Sequence, residues 1–380
     1  FLDVISSQGL YLNILNLIST GFLIFKIFYQ KKQISFKNNI VFVSFFSFLI
    51  WSTITGFWSV NKSESLRALT EIFTTVLAFL NIFYHSQQIQ KNRIFFIFST
   101  LFLMLLLEIS FLVYDYLNDI INGIYTPGSM RYLGLTGNKN IASFSILIKV
   151  PVLLYFIFKR DNYTFKLFFK SVSYLYLFFS FYIIFFVTLT RAAQISYILL
   201  ILFFLIQNIV SSLKASKGIS TILKPQIKFL IPIVLALFIG VNFSNNTISI
   251  NDNISTAFES KDASSNERLR FYEYAIEIIK DNFFTGTGIG SWELESIEKD
   301  RLEMKSYVVP YHVHNDFLEI FSETGLLGFL FFYLPIIIVY FLLFKSIFWS
   351  KDLQKQFISM IIFLMLSMYI SDALLNFPFA

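Results

Sequence analysis

The sequence predicts an all-α, polytopic transmembrane helical bundle with a long extracytoplasmic loop that contains an amphipathic helix. Three observations predict it. The 380 residues are 56% hydrophobic and only 14% charged, too little charge to cover a soluble surface of this size. Apolar runs of about 20 residues recur along the chain, the length a helix needs to cross the hydrocarbon core. Basic residues cluster in alternate connections, the pattern that orients a chain in a bilayer. The pI of about 9.1 is therefore a topology signal, and no nucleic-acid partner is expected. With no cysteine in the chain, disulfides and thiolate chemistry are excluded.

Ten spans follow in order, near residues 8–28, 40–57, 66–84, 94–113, 141–158, 165–189, 192–210, 227–244, 325–346 and 357–377. The first run continues to about Phe28 without a small-residue cleavage site, so it reads as a span and not as a cleavable signal. No internal repeat is evident, and residues 1–380 read as a single transmembrane domain. The chain starts at Phe1 and stops directly after an apolar run, which reads as truncation at one or both ends.

Orientation follows from the loops. One alternate set holds Lys26, Lys31, Lys32 and Lys37, then Lys91 and Arg93, then Lys159, Arg160, Lys166 and Lys170. It continues with Lys214, Lys217, Lys224 and Lys228, and with Lys345, Lys351 and Lys355, against the acids Asp161 and Asp352. The opposite short loops hold Lys62, Arg67, Arg131, Lys139 and Arg191. The richer set is cytoplasmic by the positive-inside rule, which places the 245–316 loop outside. Within that loop, Asn266 to Asp281 reads as an amphipathic helix with Leu269, Tyr272, Ala275, Ile276 and Ile279 on its apolar face and Ser264 or Ser265 as N-cap. Such a helix lies on the membrane surface or caps the bundle.

The residues able to carry chemistry gather on the outer side. His312 and His314 stand where the long loop enters a membrane helix, with Asp316, Glu319 and Glu323 close by in sequence. Histidine is the side chain suited to proton transfer near neutral pH, and a carboxylate can hold its tautomer. The other reading is a pair of interfacial histidines making structural hydrogen bonds. No third ligand has recognisable spacing, so no metal is expected. Arg191, at the edge of two apolar runs, either snorkels to headgroups or clamps a phosphate with its planar fork. Arg268 and Arg270 open the amphipathic helix. Arg131, Asn138, Lys139 and Asn140 form a further polar knot. Gly286-Thr287-Gly288-Ile289-Gly290 lacks the preceding strand of a dinucleotide site and reads as a tight turn, for helix packing or for an anion. Arginines beside an imidazole suit group transfer from a phosphorylated lipid.

At these residues the chain resembles the O-antigen ligase and polymerase superfamily of bacterial membrane glycosyltransferases. His314-Asn315, nine residues, then Gly325-Leu326-Leu327-Gly328 fit the ligase signature without a gap. Glu267-Arg268-Leu269-Arg270-Phe271-Tyr272 followed by Asp281 to Gly288 is similar to the family's arginine, amphipathic helix and Gly-x-Gly stretch, with Tyr272 where Trp is usual and Phe284 where Pro is usual. Leu189-Thr190-Arg191-Ala192 and Gly137-Asn138-Lys139-Asn140 resemble two further family segments, and the likeness covers about residues 125–380. The resemblance implies a cofactor-free, metal-independent, inverting transferase of the bacterial inner membrane with its site on the periplasmic side. The donor would be a polyprenyl-diphosphate-linked glycan and the acceptor lipid A core or another glycan, with membrane lipids around both. Carried over by position, His314, Arg191 and Arg268 are catalytic. His312, Asn315, Arg270, Arg131, Asn138, Asn140, Gly286, Gly288 and Glu323 bind substrate. A polymerase of the same superfamily is the nearest alternative. A lipid-glycan flippase is the other, disfavoured because the polar groups sit at one interface and no repeat is seen.

Overall fold

A computed structural model describes residues 4–30, 40–88, 92–129, 131–159, 166–214, 219–244, 263–301 and 311–376. Twelve helices and no strand occur among the described residues. They are α1 (Val4–Gln30), α2 (Ile40–Thr55), α3 (Lys62–Gln88), α4 (Arg93–Ile121), α5 (Lys139–Phe158) and α6 (Lys166–Tyr182). Then come α7 (Arg191–Lys214), α8 (Ile219–Ser244), the more polar α9 (Ala263–Asp281) and α10 (Trp292–Asp300), and finally α11 (Asp316–Trp349) and α12 (Leu353–Leu375). Nine are long and apolar enough to cross a membrane, and the architecture is an all-α polytopic bundle. The shorter apolar helix is α2, whose 16 residues rise about 24 Å against a hydrocarbon core of about 30 Å. It ends at Thr55, two residues short of the expected boundary, where the Thr53 and Thr55 hydroxyls bond back to Leu49 and Ser52 carbonyls.

The chain divides into two compact units. The first comprises Phe1–Ile94, Ala263–Phe341 and Ala373–Ala380, and the second Phe95–Asp262 and Leu342–Asp372. In the first, Phe48 of α2, Ile72 and Val76 of α3, and Ile320, Phe332 and Tyr333 of α11 form one apolar core with Ile289. A polar ladder joins α1 to α3: Asn16 Nδ2 donates to the Thr74 carbonyl at 3.0 Å, Asn81 Nδ2 to Thr20 Oγ1 at 3.1 Å, and Ser19 Oγ meets His85 Nε2 at 3.0 Å. Such bonds tie helices together where lipid offers no hydrophobic drive. In the second unit α5 is buried along most of its length, with Phe156 packed on Phe102 and Phe169. Lys149 of α5 bonds both carboxylate oxygens of Glu108 of α4 at 2.9 Å, an intramembrane pair hidden in the sequence inside two apolar runs.

Of the expected 245–316 loop, residues 245–262 and 302–310 lie outside the described residues. The amphipathic helix is present as α9, but its buried face is Phe271, Tyr274, Ala275 and Ile278, packed with Trp292 and Val313. Leu269 and Ile276, expected to be inside, are 57% and 42% exposed. Two apolar stripes overlap on this helix, and contact with α10 selects the one carrying the larger rings. Ser264 and Ser265 fall inside the first turn, because the helix already begins at Ala263.

Candidate active site

The site is built on a broken helix. At Gly325 the backbone of α11 leaves the helical region (φ 64°, ψ −170°), so the segment 316–324 is a separate helical piece, nine residues ahead of the expected span. A break frees backbone groups that must find partners. The Gly286–Gly290 loop supplies them: Thr287 N–H donates to the Ser322 carbonyl at 3.0 Å and Gly288 N–H to Glu323 at 2.8 Å, while Leu326 N–H returns to Phe283 at 2.9 Å. Trp51 Nε1 caps the Thr324 carbonyl at 2.7 Å. A Cβ on Gly286 would overlap the Glu323 carbonyl, and one on Gly325 would overlap that of Phe284. Of the two readings of the glycine turn, these contacts are those of packing.

Asn315 is the N-cap of the first piece. Its Oδ1 accepts from Phe317 N–H at 3.0 Å and Leu318 N–H at 3.2 Å. One turn later Glu319 reaches back, with Oε2 accepting from Val313 N–H at 2.8 Å and Oε1 meeting His312 Nδ1 at 3.0 Å. His314 lies between them at φ 61°, a left-handed conformation that is costly for a residue with a side chain. Its carbonyl accepts from the Tyr272 hydroxyl of α9 at 3.1 Å.

The two imidazoles are driven apart. Burial, then the charge of Arg268, then that of His312 push His314 down to about 4, so it is neutral at pH 7. Burial also works against the His312 cation, but the bond and charge of Glu319, joined by Glu323, outweigh burial and raise its pKa above the ordinary value. One ring is thus a standing acceptor and the other favours the cation, two roles set by environment.

His312, Asp316, Glu319 and Glu323 line a cleft in the first unit. α3 contributes Glu64, Arg67 and Glu71, and α10 contributes Trp292 and Glu293. Arg67 bridges Glu64 and Glu71 at 3.2 Å each. Burial and then the neighbouring Glu64 raise the Glu293 carboxyl. The α3 and α10 residues escaped the sequence reading, where Arg67 served only as a topology marker. The spacing of Glu64, Arg67 and Glu71 along one side of an apolar helix was the available signal.

Other expected site residues have structural partners. Glu323, 7% exposed, accepts from Trp292 N–H at 3.0 Å and so anchors the start of α10. Arg270 pairs with Asp300 at 3.1 Å, and Asp300 also accepts from the Tyr274 hydroxyl at 3.2 Å. In the second unit, Asn138 is the N-cap of α5, accepting from Asn140 N–H at 2.9 Å. Thr190 Oγ1 donates to Asn140 Oδ1 at 3.3 Å and meets Ser143 Oγ at 3.0 Å. Arg191 opens α7 immediately after, reached through a π-turn at Ile183–Val187 and Leu189 at φ 50°. Arg131 is exposed, with its backbone N–H bonded to Ser129 Oγ at 3.2 Å. Tertiary structure therefore gathers Asn138, Asn140 and Arg191 in the second unit. It gathers His312, His314, Asn315 and Arg268 in the first.

This fold and site define a multi-pass helical membrane protein with a histidine and arginine centre beside a broken helix. Residues 175–333 match the family model described as O-antigen ligase, which supports the O-antigen ligase/polymerase superfamily and an enzyme of that membrane-bound type. The matched segment runs from α6 through Arg191, α9, the glycine loop and the His314 signature to Tyr333; Arg131, Asn138 and Asn140 lie before it. No curated protein matches the chain.

Proposed function

We propose that this protein is an O-antigen ligase-like glycosyltransferase. It moves a glycan from a polyprenyl-diphosphate carrier to an acceptor hydroxyl at the outer face of the bacterial inner membrane. The observation that carries the reading is a neutral imidazole, His314, under the influence of Arg268 and within the segment matching the ligase family. In the reaction His314 accepts the hydroxyl proton as the acceptor oxygen bonds to the anomeric carbon. The carbon–oxygen bond to diphosphate breaks from the opposite face, and the configuration inverts. Diphosphate leaves with the bonding electrons, so a guanidinium that stabilises the developing charge replaces both a general acid and a metal. Arg268 is proposed for that role. Arg191 is proposed as a second phosphate-binding guanidinium, on the strength of its motif and its place at a helix start.

The test is transfer by purified protein from an undecaprenyl-diphosphate oligosaccharide. His314→Ala should lower turnover by about 10²–10⁴-fold with normal membrane insertion, the range expected for a lost proton acceptor. Near-normal transfer by that variant removes the proposed base. Arg191→Lys should cost about 10²-fold, because a point charge cannot reproduce the fork; full activity would leave Arg191 a headgroup contact. In a deletion strain, finished polymer retained on its carrier supports the ligase, whereas lost polymerisation would point to a polymerase.

A further inference from the structure

Glycosyl transfer needs a seat for the acceptor, and the cleft beside the two histidines has suitable chemistry. It holds an exposed ring, Tyr311, which offers an apolar face with a polar edge. Carboxylates, which accept hydrogen bonds from hydroxyls, come from three helices: Glu64 and Glu71 of α3, Glu293 of α10, and Asp316, Glu319 and Glu323 of α11. Arg67 and His312 face them. Arg67 is held by Glu64 and Glu71 at 3.2 Å each, and His312 is oriented by Glu319 at 3.0 Å.

We infer that this cleft is the acceptor subsite, that it takes an uncharged, hydroxyl-rich sugar terminus, and that His312 is its cationic hydrogen-bond donor. The inference rests on the glycosyl-transfer reading and adds the acceptor's chemical class to it. His312 holds an acceptor oxygen and transfers no proton; His314 takes the proton of the attacking hydroxyl. A uronate or phosphate on the acceptor would meet the surrounding carboxylates and be rejected, so the acidic lining sets specificity. The donor function of His312 requires its protonated form. That function is complete at low pH and is lost as pH rises through the raised pKa of His312. Burial opposes the rise most strongly and Arg67 adds to it, but the bond and charge of Glu319, helped by Glu323, outweigh them.

The experiment uses the full chain in lipid nanodiscs, an undecaprenyl-diphosphate oligosaccharide as donor, and two acceptor probes ending in glucose or glucuronate. The glucose-ended probe should show a kcat/KM about tenfold higher, since like charges set against each other disfavour the other. His312→Gln keeps an N–H donor that does not titrate. It should raise the acceptor KM several-fold, change kcat less, and remove the alkaline fall of kcat/KM. Glu71→Gln, on the opposite wall, should narrow the preference for glucose. Equal use of both probes by the wild-type chain, or an unmoved acceptor KM with the alkaline fall retained in His312→Gln, overturns the subsite. If His312→Gln fails to fold, Glu71→Gln decides, and an unchanged preference overturns it. A wild-type chain inactive with both probes would sink the transferase reading itself.

Discussion

Two ion pairs in this molecule are built from similar parts and do different things. Glu108 and Lys149 lie inside membrane-spanning helices of the second unit, 18% and 14% exposed, with the ammonium bonded to both carboxylate oxygens and to Ser145. His312 and Glu319 lie at the mouth of a cleft in the first unit, 26% and 13% exposed. The first pair closes on itself, which is how an isolated charge becomes tolerable in hydrocarbon. The second leaves the imidazole lining a partly open cleft. Burial is comparable, so it does not distinguish structure from function; what each pair faces does.

The sharpest test of this contrast is to break both pairs. Glu108→Gln alone, or Lys149→Met alone, should cost about 3–5 kcal/mol of stability, because each strands a buried partner. The double variant should recover most of that loss, as seen in thermal unfolding of detergent-solubilised protein. No recovery would mean that the pair does more than neutralise itself. Glu319→Gln should cost less, about 1.5–3 kcal/mol for a weakened charged hydrogen bond to Val313 N–H and His312, while changing the pH profile of transfer.

The sign of that pH effect follows from His312. Its raised pKa makes the His312–Glu319 contribution to stability complete below the ordinary histidine pKa and lost as pH rises through the raised one. Glu319→Gln should flatten this dependence, and an unchanged melting curve between pH 6 and 9 would argue against the pairing. His314 has the opposite sign: its pKa is lowered to about 4, so its contribution is lost as pH falls.

Smaller effects sharpen the local picture. Asn315→Ala should cost about 0.5–2 kcal/mol through the lost N-cap, and the displaced helix start should lower activity as well. Leu269→Ser should change stability by less than about 0.5 kcal/mol, because the structure turns that residue outward. A large loss at Leu269 would restore the face expected from the sequence.

Much of the fold was legible before any coordinates. Hydropathy located the ten apolar helices found among the described residues, because the free energy of placing a side chain in hydrocarbon is nearly a local sum. The His314–Gly328 segment was readable as a motif but not as structure: the Asn315 cap and the break at Gly325 were not foreseen, because they depend on the bonds made with Val313, Thr287 and Gly288. The α9 face was not, because Phe271 and Leu269 are equally apolar on paper and only Trp292 and Val313 choose between them. Nor was the cleft, whose Glu64, Glu71, Glu293 and Glu319 come from three separated stretches.

What the amino-acid order determined by itself is where the apolar helices run, through side-chain transfer energies. Only the tertiary structure decided which charges meet, that Glu108 pairs with Lys149 while Glu319 holds His312. Electrostatic interaction depends on distance and burial, and neither is written in the spacing along a chain.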